Sequence, residues 1–317
     1  MARYIAKRVG LAVITLVLLS VIVFATAQLL PGNIASAILG REASQEALDA
    51  LNHRLGTDRH PVIQYLDYMA GVVRGDFGES FALELSAWEV MQPALGNSLK
   101  LALLALVIVV PLSILGGVIA GLKVGTLIDR SLTNIGLSLT VMPEFVTGIS
   151  LILVFVIWLR WLPVTAQWDD GAGFFLQLKH LVLPAVCLAL VLFGYIARIT
   201  RAGVIEALDA DYTRTAYLKG IPGRQVLLRH VLRNALLPTI AVVATQIGWL
   251  LGGIVIIEFL FNFQGIGLMI FQASQQKDFP LLTSGVLFLG FVYLAVTLVA
   301  DIAYGVLNPR IRLGGGE

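Results

Sequence analysis

Four polar side chains stand inside or at the edges of long apolar stretches, where they could bind a cation or line a water-filled route. They are Glu144, Gln246, Glu258 and Asp301. Polar groups in such surroundings are costly, and they usually pair with one another or face a path through the protein. Glu144 and Gln246 are the stronger predictions for a translocation pathway. Glu258 is a third, although a position at the membrane interface fits it too, and Asp301 fits a structural hydrogen bond.

The sequence contains no arrangement typical of a catalytic or metal centre. It has no GxxxxGK[ST] phosphate loop and no HExxH helix, so we expect this chain neither to hydrolyse ATP itself nor to bind a catalytic metal. The single cysteine, Cys187, lies in an apolar run, and the four histidines are scattered without ligand spacing. The net charge of +2 gives no sign of nucleic-acid binding. We therefore predict no catalytic residue, no metal and no cofactor on this chain.

The composition predicts a helical membrane protein. Hydrophobic residues make up 58% of the chain and charged residues only 13%, against roughly 25% charged residues in soluble domains. A helix needs about 20 apolar residues to cross the hydrocarbon core. Six stretches satisfy this: Val9–Leu30, Ser98–Leu122, Ser131–Trp161, Leu181–Gly203, Pro238–Phe261 and Leu281–Gly305. Pro143 interrupts the overlong third stretch, so a kink or two short helices are expected there.

The distribution of basic residues indicates the orientation of these spans. If the N-terminus is inside, 14 of the 22 Lys and Arg residues fall on inside segments, whereas the two shorter outside loops hold only Lys179 and Lys277. Both termini are therefore expected in the cytoplasm. Residues 1–30 would form the first span. They also resemble a signal peptide, but the apolar run is longer than a signal core, which favours retention.

Small residues recur four positions apart in two of the stretches. Gly117 is followed by Gly121, and Ala244 by Gly248 and Gly252. This spacing lets two helix backbones approach closely. We expect it to serve packing within the helix bundle, with a dimer seam as the alternative.

Residues 31–97 form an acidic insert between the first two spans. Glu46–Leu55 has helical spacing with Ser44 as a cap, Pro61–Val73 reads as a second helix, and Gly75–Gly78 as a turn. Its length allows it to cross the membrane regardless of its charge. The insert is either a small structural cap or a docking surface for a partner outside the cell.

The loop at residues 204–237 is too long and too structured for a simple connection. It predicts a helix over Glu206–Leu218, a stop at Gly220, and a second, basic amphipathic helix over Arg224–Leu237. Such a helix could lie on anionic lipid. The loop could equally be a rigid lever that docks in a groove of a cytoplasmic partner, with Tyr212, Ala216 and Leu218 as anchors.

Several motifs resemble one family along nearly the whole chain. Glu206-Ala207, Asp211-Tyr212, Arg214-Thr215-Ala216, Lys219-Gly220 and Arg233–Pro238 resemble the ATPase-coupling signature of ABC importer permeases. Further matches are Leu29–Gly32, Gly75–Gly78, Asp278-Phe279-Pro280 and Asn308-Pro309-Arg310. The resemblance is best to the B-type permease subunit of bacterial dipeptide, oligopeptide and nickel importers.

The resemblance implies a type I ABC importer permease fold, with a core over residues 98–305 and a cytoplasmic tail over 306–317, in the bacterial inner membrane. The residues expected to couple to the ATPase are Glu206, Ala207, Asp211, Tyr212, Arg214, Ala216, Lys219 and Gly220. The implied partners are a second permease subunit, two ATPase subunits carrying ATP and Mg, and an extracytoplasmic binding protein that delivers the solute. We expect Glu206 near a helix start, favourably placed on its dipole, and Gly220 at a positive φ.

Two other functions fit parts of the sequence. An ion-coupled secondary transporter would use Glu144, Glu258 and Asp301 as ion sites, but such proteins often show paired broken helices, and only Pro143 suggests one here. A membrane assembly or signalling protein would use the basic loop to bind a regulator. Dipeptides, longer peptides, nickel chelates and related solutes all fit the permease interpretation.

Overall fold

The computed structural model describes residues 2–29, 34–40, 43–169 and 171–307. Nearly all of this part is helical, and its one pairing of extended backbone is an isolated antiparallel bridge between Glu79 and Ser86. The predicted all-α architecture is therefore confirmed. Motif residues 30–32 and 308–310 and the tail from residue 308 onward lie outside the described residues.

The helices are short in the N-terminal insert and long elsewhere. In order they are α1 (Ala2–Leu29), α2 (Ile34–Leu39), α3 (Gln45–Leu55), α4 (Pro61–Val73), α5 (Ala87–Leu122), α6 (Leu127–Val141), α7 (Glu144–Leu151), α8 (Phe174–Asp209), α9 (Asp211–Leu218), α10 (Gly223–Val226), α11 (Leu232–Leu260), α12 (Ile266–Gln276) and α13 (Phe279–Leu307). Wider, π-helical segments extend α7 through Ile152–Trp158 and join α10 to α11 through Leu227–Val231. The described residues divide into two compact units.

The first unit comprises the described residues up to Leu99 together with Gln264–Ala295. Its core packs residues of α5, α12 and α13, and the insert helices have the predicted bounds to within one residue. Ser44 caps α3 as expected, because its hydroxyl accepts the N–H of Ala47 at 3.3 Å. Tyr65 of α4 shares a hydrogen bond of 2.7 Å with Ser20 of α1.

A buried carboxylate organises the end of the insert. Asp278 accepts hydrogen bonds from the hydroxyl of Ser80 and, at 3.2 Å, from the N–H of Ala82. It also accepts the N–H of Leu281 at 3.3 Å, in the first turn of α13. The same side chain therefore caps a helix and fastens the loop from Ser80 to Leu85 to it.

The second unit comprises Lys100–Phe263 and the described residues from Val296 onward. Its central helix is α8, which buries Leu188, Leu192 and Ile196 among residues of α5 and α11. Glycines allow this packing: Gly117 of α5 lies against Thr200, and Gly194 of α8 lies against the backbone of Gly136 in α6. The predicted use of Gly117 in bundle packing is confirmed.

Five described helices are long and apolar enough to cross a membrane: Ala6–Thr26, Ala87–Leu122, Phe174–Asp209, Gly223–Leu260 and Phe279–Ala300. The predicted third span is a bent pair, α6 and the extended α7, which meet at 110°. Met142 and Pro143 are both extended at the bend, with ψ values of 131° and 140°. For Met142 this follows from the steric effect of a proline on the residue before it. Counting the bent pair once gives the six predicted spans.

Two helix boundaries differ from the sequence prediction. The helix that forms the second span begins at Ala87 instead of Ser98, so residues 87–97 of the predicted insert are helical and continue into that span. The prediction of a separate amphipathic helix over Arg224–Leu237 is wrong. These residues begin a helix that continues through the π-helical turn to Leu260.

Candidate functional site

The predicted helix over Glu206–Leu218 is in fact two helices separated by Ala210. Ala210 is extended, with φ −72° and ψ 145°, so α8 ends at Asp209 and α9 starts at Asp211. The hydroxyl of Thr213 donates a hydrogen bond of 2.6 Å to the carbonyl oxygen of Ala207. This bond satisfies a carbonyl that the end of α8 leaves without a helical partner. The prediction of one continuous helix was therefore wrong, because the break is stabilised by a side chain three residues beyond it.

The break changes the setting of two predicted coupling residues. Glu206 lies in the last turn of α8, where the helix dipole disfavours a carboxylate, so its expected place at a helix start was wrong. Asp211 instead occupies the first turn of α9, where the dipole favours it. Both side chains are exposed.

The coupling segment, defined here as Glu206–Gly220, has one inward and one outward face. Ala207, Thr213 and Ala216 are buried, and the two alanines pack in a cluster with Val204, Val226, Val231 and Ala235. Ala216, expected as an anchor for a partner, is thus turned toward its own chain. Arg214 and Lys219 are exposed, as are the larger apolar side chains of Tyr212 (40% exposed), Tyr217 (52%) and Leu218 (81%).

Gly220 ends the segment with a left-handed backbone. Its φ of 74° confirms the expected positive φ, and no atom would obstruct a Cβ there. The chain then reverses, and the N–H of Ile221 donates to the carbonyl of Ala216 at 3.3 Å. This bond returns the chain to the buried cluster before α10 begins.

The coupling segment lies beside the close crossing of α8 and α11. Gly203 of α8 leaves no room for a side chain against the carbonyl of Ala235. One turn earlier in α8, Thr200 shares a hydrogen bond of 3.1 Å with Thr239 of α11, and both hydroxyls are buried. The coupling segment therefore lies next to two long helices whose backbones touch.

The bend of the broken span carries Glu144, the first residue of α7. A Cβ on Gly253 of α11 would lie 2.6 Å from a Glu144 carboxylate oxygen, so the glycine makes room for this charge. Cys187 of α8 donates from its sulfur to the Glu144 carbonyl at 3.4 Å. Within the described residues the Glu144 carboxylate has neither an ion-pair partner nor a hydrogen-bond donor, and it is partly exposed.

The other predicted pathway residues have different surroundings. Gln246 is partly buried. Glu258 is 0% exposed, so the alternative that it faces the membrane interface was wrong, and it has interaction partners within the chain. The side chain of Asp301 lies outside the described residues.

The sequence does not predict one ion pair that the structure contains. Arg201 of α8 binds Asp129 of α6 through two parallel bonds, from Nε to Oδ1 at 2.6 Å and from Nη2 to Oδ2 at 2.9 Å. The two residues are 72 positions apart, and in the sequence Arg201 is only one of the 14 basic residues on the predicted inside segments. The sequence shows only that Asp129 stands next to a predicted span, and this does not indicate which residue it pairs with.

Comparison with known proteins covers nearly the entire chain. Residues 1–110 match the family model for the N-terminal part of the binding-protein-dependent transport system membrane component, and residues 113–313 match the model for the inner membrane component itself. The chain is similar to the di/tripeptide transport system permease protein DppB of Pseudomonas aeruginosa (36% identity) and to the dipeptide transport system permease protein DppB of Escherichia coli K12 (33%). Each alignment covers 98% of this chain and 99% of the relative.

A probable peptide ABC transporter permease protein of Sinorhizobium fredii is 30% identical over 98% of this chain and all of its own length. A solved crystal structure of an amino acid ABC transporter with histidines matches 70% of this chain and 94% of its own, with 16% identity and a TM-score of 0.49. Two family models thus account for both the N-terminal part and the core with its coupling segment. The chain belongs to the family of inner membrane components of binding-protein-dependent transport systems, and it is a multi-pass permease subunit.

Proposed function

We propose that this permease imports dipeptides and related short peptides, driven by ATP hydrolysis on separate subunits. Full-length similarity to permeases named for dipeptide, di/tripeptide and peptide transport supports the substrate class. The observation that carries the coupling role is the two-faced segment Glu206–Gly220. One face is buried in its own chain, and the other presents apolar side chains to solvent.

The outward face suits docking into a groove of an ATPase subunit. Helix-in-groove binding uses a few anchors on one face of a short helix. Tyr212, Tyr217 and Leu218 offer an aromatic and aliphatic set of this kind, and Arg214 and Lys219 add positive charge beside it. Ala207 and Ala216 would act from the other side, by holding α9 against the helices that must move.

The division of labour follows from this arrangement. A second, homologous permease chain would complete the pore, and two ATPase subunits would bind ATP and Mg and dock on one coupling segment each. The excess of Lys and Arg on one side supports a cytoplasmic location for both termini and for the coupling segment. The insert at residues 31–97 then faces outward, where a binding protein would deliver the peptide.

Glu144 and Gln246 are the side chains we assign to the peptide pathway. The Glu144 carboxylate has room beside Gly253 and stands at a break in a span, where irregular backbone is tolerated if it lines a cavity. A carboxylate there can attract the ammonium group of a peptide. Glu258 is enclosed in this conformation and would meet a peptide only after its helix moves.

The docking face can be tested with one surface substitution. Leu218→Glu adds a charge at a side chain that is 81% exposed, so the fold should be unaffected while the ATPase subunits dissociate. Val73→Glu is the matched control, because Val73 is 83% exposed but lies in the insert. We expect ATPase subunits to co-purify with the V73E variant and with wild type, but not with L218E.

Transport in proteoliposomes separates ATP-driven import from ion coupling. The complete importer should take up labelled dipeptide when ATP is present at the ATPase side, and a proton gradient alone should give none. Uptake driven by the gradient without ATP would overturn the proposal. It would instead favour a secondary transporter built around the broken span and Glu144.

A further inference from the structure

The buried ion pair between Asp129 and Arg201 has no part in the function as described so far. Both carboxylate oxygens of Asp129 are engaged: besides the two bonds from Arg201, Oδ2 accepts the N–H of Gly125 at 2.9 Å and Oδ1 accepts the hydroxyl of Thr133 at 3.4 Å. Asp129 is buried, and Arg201 is partly buried. A two-bonded pair of this kind fixes direction as well as distance.

The pair joins two elements of different function. Arg201 lies five residues before Glu206 on the continuous helix α8, so it would move together with the coupling segment. Asp129 lies in the first turn of α6, whose other end is the bend at Met142–Pro143 that carries Glu144. A helix transmits displacement along its length, so α6 connects the ion pair to the bend.

A second contact keeps α6 and α8 in the same register. Gly136 of α6 touches Gly194 of α8 so closely that a Cβ on Gly194 would collide with the Gly136 carbonyl. Gly136 is seven residues after Asp129, and Gly194 is seven residues before Arg201. The helices therefore run antiparallel in matched register, and two contacts about two helical turns apart prevent α6 from sliding or turning on α8.

We propose that the Asp129–Arg201 pair is the link that conveys movement of the coupling segment to the bend of the broken span. This inference rests on the proposed coupling role. When the ATPase subunits displace α9, α8 would carry Arg201, the ion pair would carry α6, and the bend at Pro143 would move Glu144 relative to Gly253. Asp129 and Arg201 are positioning residues in this scheme and touch neither ATP nor peptide.

The scheme predicts that breaking the pair uncouples hydrolysis from transport. In the reconstituted importer, Asp129→Asn and Arg201→Gln should leave ATP hydrolysis within about twofold of wild type and lower peptide uptake per ATP at least tenfold. Arg198→Gln is the matched control, since Arg198 lies one turn away on α8 and contacts the ring of Tyr195 at 5.5 Å instead of Asp129. This control should keep the wild-type ratio.

Two further variants guard against simple loss of folding. The exchange Asp129→Arg with Arg201→Asp should recover a large part of the coupling lost in either single variant. Arg201→Lys keeps the charge but loses the two-bonded geometry, and we expect it to lower uptake per ATP while assembly stays normal. An unchanged ratio of uptake to hydrolysis in well-assembled D129N and R201K importers would overturn the link.

A readout independent of uptake follows the bend itself. With Cys187 replaced by Ala, a cysteine introduced by Glu144→Cys should change its rate of maleimide labelling when ATP is added. That change should disappear when Asp129→Asn is added to the same variant. If ATP alters the labelling equally with and without the ion pair, the pair is not the link. A wild-type importer that shows no ATP-driven uptake would instead refute the proposed function.

Discussion

Thr213 of α9 donates its hydroxyl to the carbonyl of Ala207, two residues before the end of α8, across the break at Ala210. The bond is buried, and it fixes the angle at which the coupling segment leaves the long helix. A short helix of eight residues is not stable by itself in water. Its position therefore depends on this bond and on the buried alanines beside it.

Replacing Thr213 by Val should loosen α9 without changing its size. The Ala207 carbonyl would lose its partner in a buried setting, which costs about 1–3 kcal/mol. We expect faster hydrogen exchange over residues 211–218 and a several-fold loss of ATP-driven uptake. Thr215→Val is the control, because Thr215 is exposed and its hydroxyl bonds within its own helix, to Asp211. Equal exchange rates in the two variants would contradict the role of Thr213.

Substitutions at Gly220 should be destabilising, and proline should be the most harmful. Its φ of 74° is far from the −65° that proline requires, and its N–H donates to the carbonyl of Tyr217 at 3.0 Å. Gly220→Ala should cost about 1–2 kcal/mol, the penalty for a left-handed residue, and Gly220→Pro should abolish coupling with membrane insertion intact. Gly223→Ala is the control, since its Cβ would meet only ordinary contacts with the Tyr217 ring at 3.8 Å. Normal uptake rates for G220P in intact cells would count against the turn.

The glycine contact between α6 and α8 predicts a large effect of one methyl group. Gly194→Ala would push its Cβ into the Gly136 backbone, so the helices must separate. We expect a clear drop in the melting temperature of the detergent-solubilised protein. Gly252→Ala, in α11, has nothing within 4 Å of its Cβ. That variant should match or slightly exceed wild type, by about 0.5–1 kcal/mol.

Asp278 should be essential to the stability of the first unit. Asp278→Ala removes the cap of α13 and both ties to the loop at Ser80 and Ala82. Loss of a cap costs about 0.5–2 kcal/mol, and an unpaired buried donor adds about 1–3 kcal/mol. Limited proteolysis should then cut within residues 81–85. Asp67→Ala, which removes an exposed pair with Arg59 at 3.4 Å, should leave cleavage and stability unchanged.

Tyr68 gives the insert a specific response to alkaline pH. Burial raises the pKa of its hydroxyl to about 12, while a hydrogen bond of 2.7 Å with Ser284 acts in the opposite direction. The folded pKa exceeds the unfolded value near 10. The stabilisation by neutral Tyr68 is therefore complete below about pH 10 and is lost as the pH rises toward 12. Between these pH values the free energy of unfolding, measured by chemical denaturation, should fall less in the Tyr68→Phe variant than in wild type. An equal fall in unfolding free energy with pH in the two proteins would contradict this role of Tyr68.

The apolar stretches, Pro143 and the Ser44 cap could be read from the sequence because each depends on local chemistry. Hydropathy predicted the spans, and proline dictated the bend in the third. The break at Ala210 could not be predicted in this way. Alanine favours helix, and the hydrogen bond that ends α8 comes from Thr213 across the break.

The family motif names the proposed coupling residues, but it does not predict their arrangement. The motif named Ala207 and Ala216 as coupling residues, but their burial follows from packing against α10 and α11, which no helical period encodes. The Asp129–Arg201 pair joins residues 72 positions apart, and only the antiparallel register of α6 and α8 brings them together. The same register explains why Gly136 and Gly194 meet. The small-residue spacing predicted packing for both Gly117 and Gly252, but only Gly117 is packed, and Gly252 faces open space.

The loop held by Asp278 has a consequence for how the protein is made. Ser80 and its partner are 198 positions apart, so a ribosome that adds roughly 5–20 residues per second finishes the loop about 10–40 s before it reaches the aspartate. During biosynthesis the loop from Ser80 to Leu85 therefore remains without its carboxylate partner until the last span has been made. Truncated nascent chains that end before residue 278 should be the ones that quality-control proteases recognise.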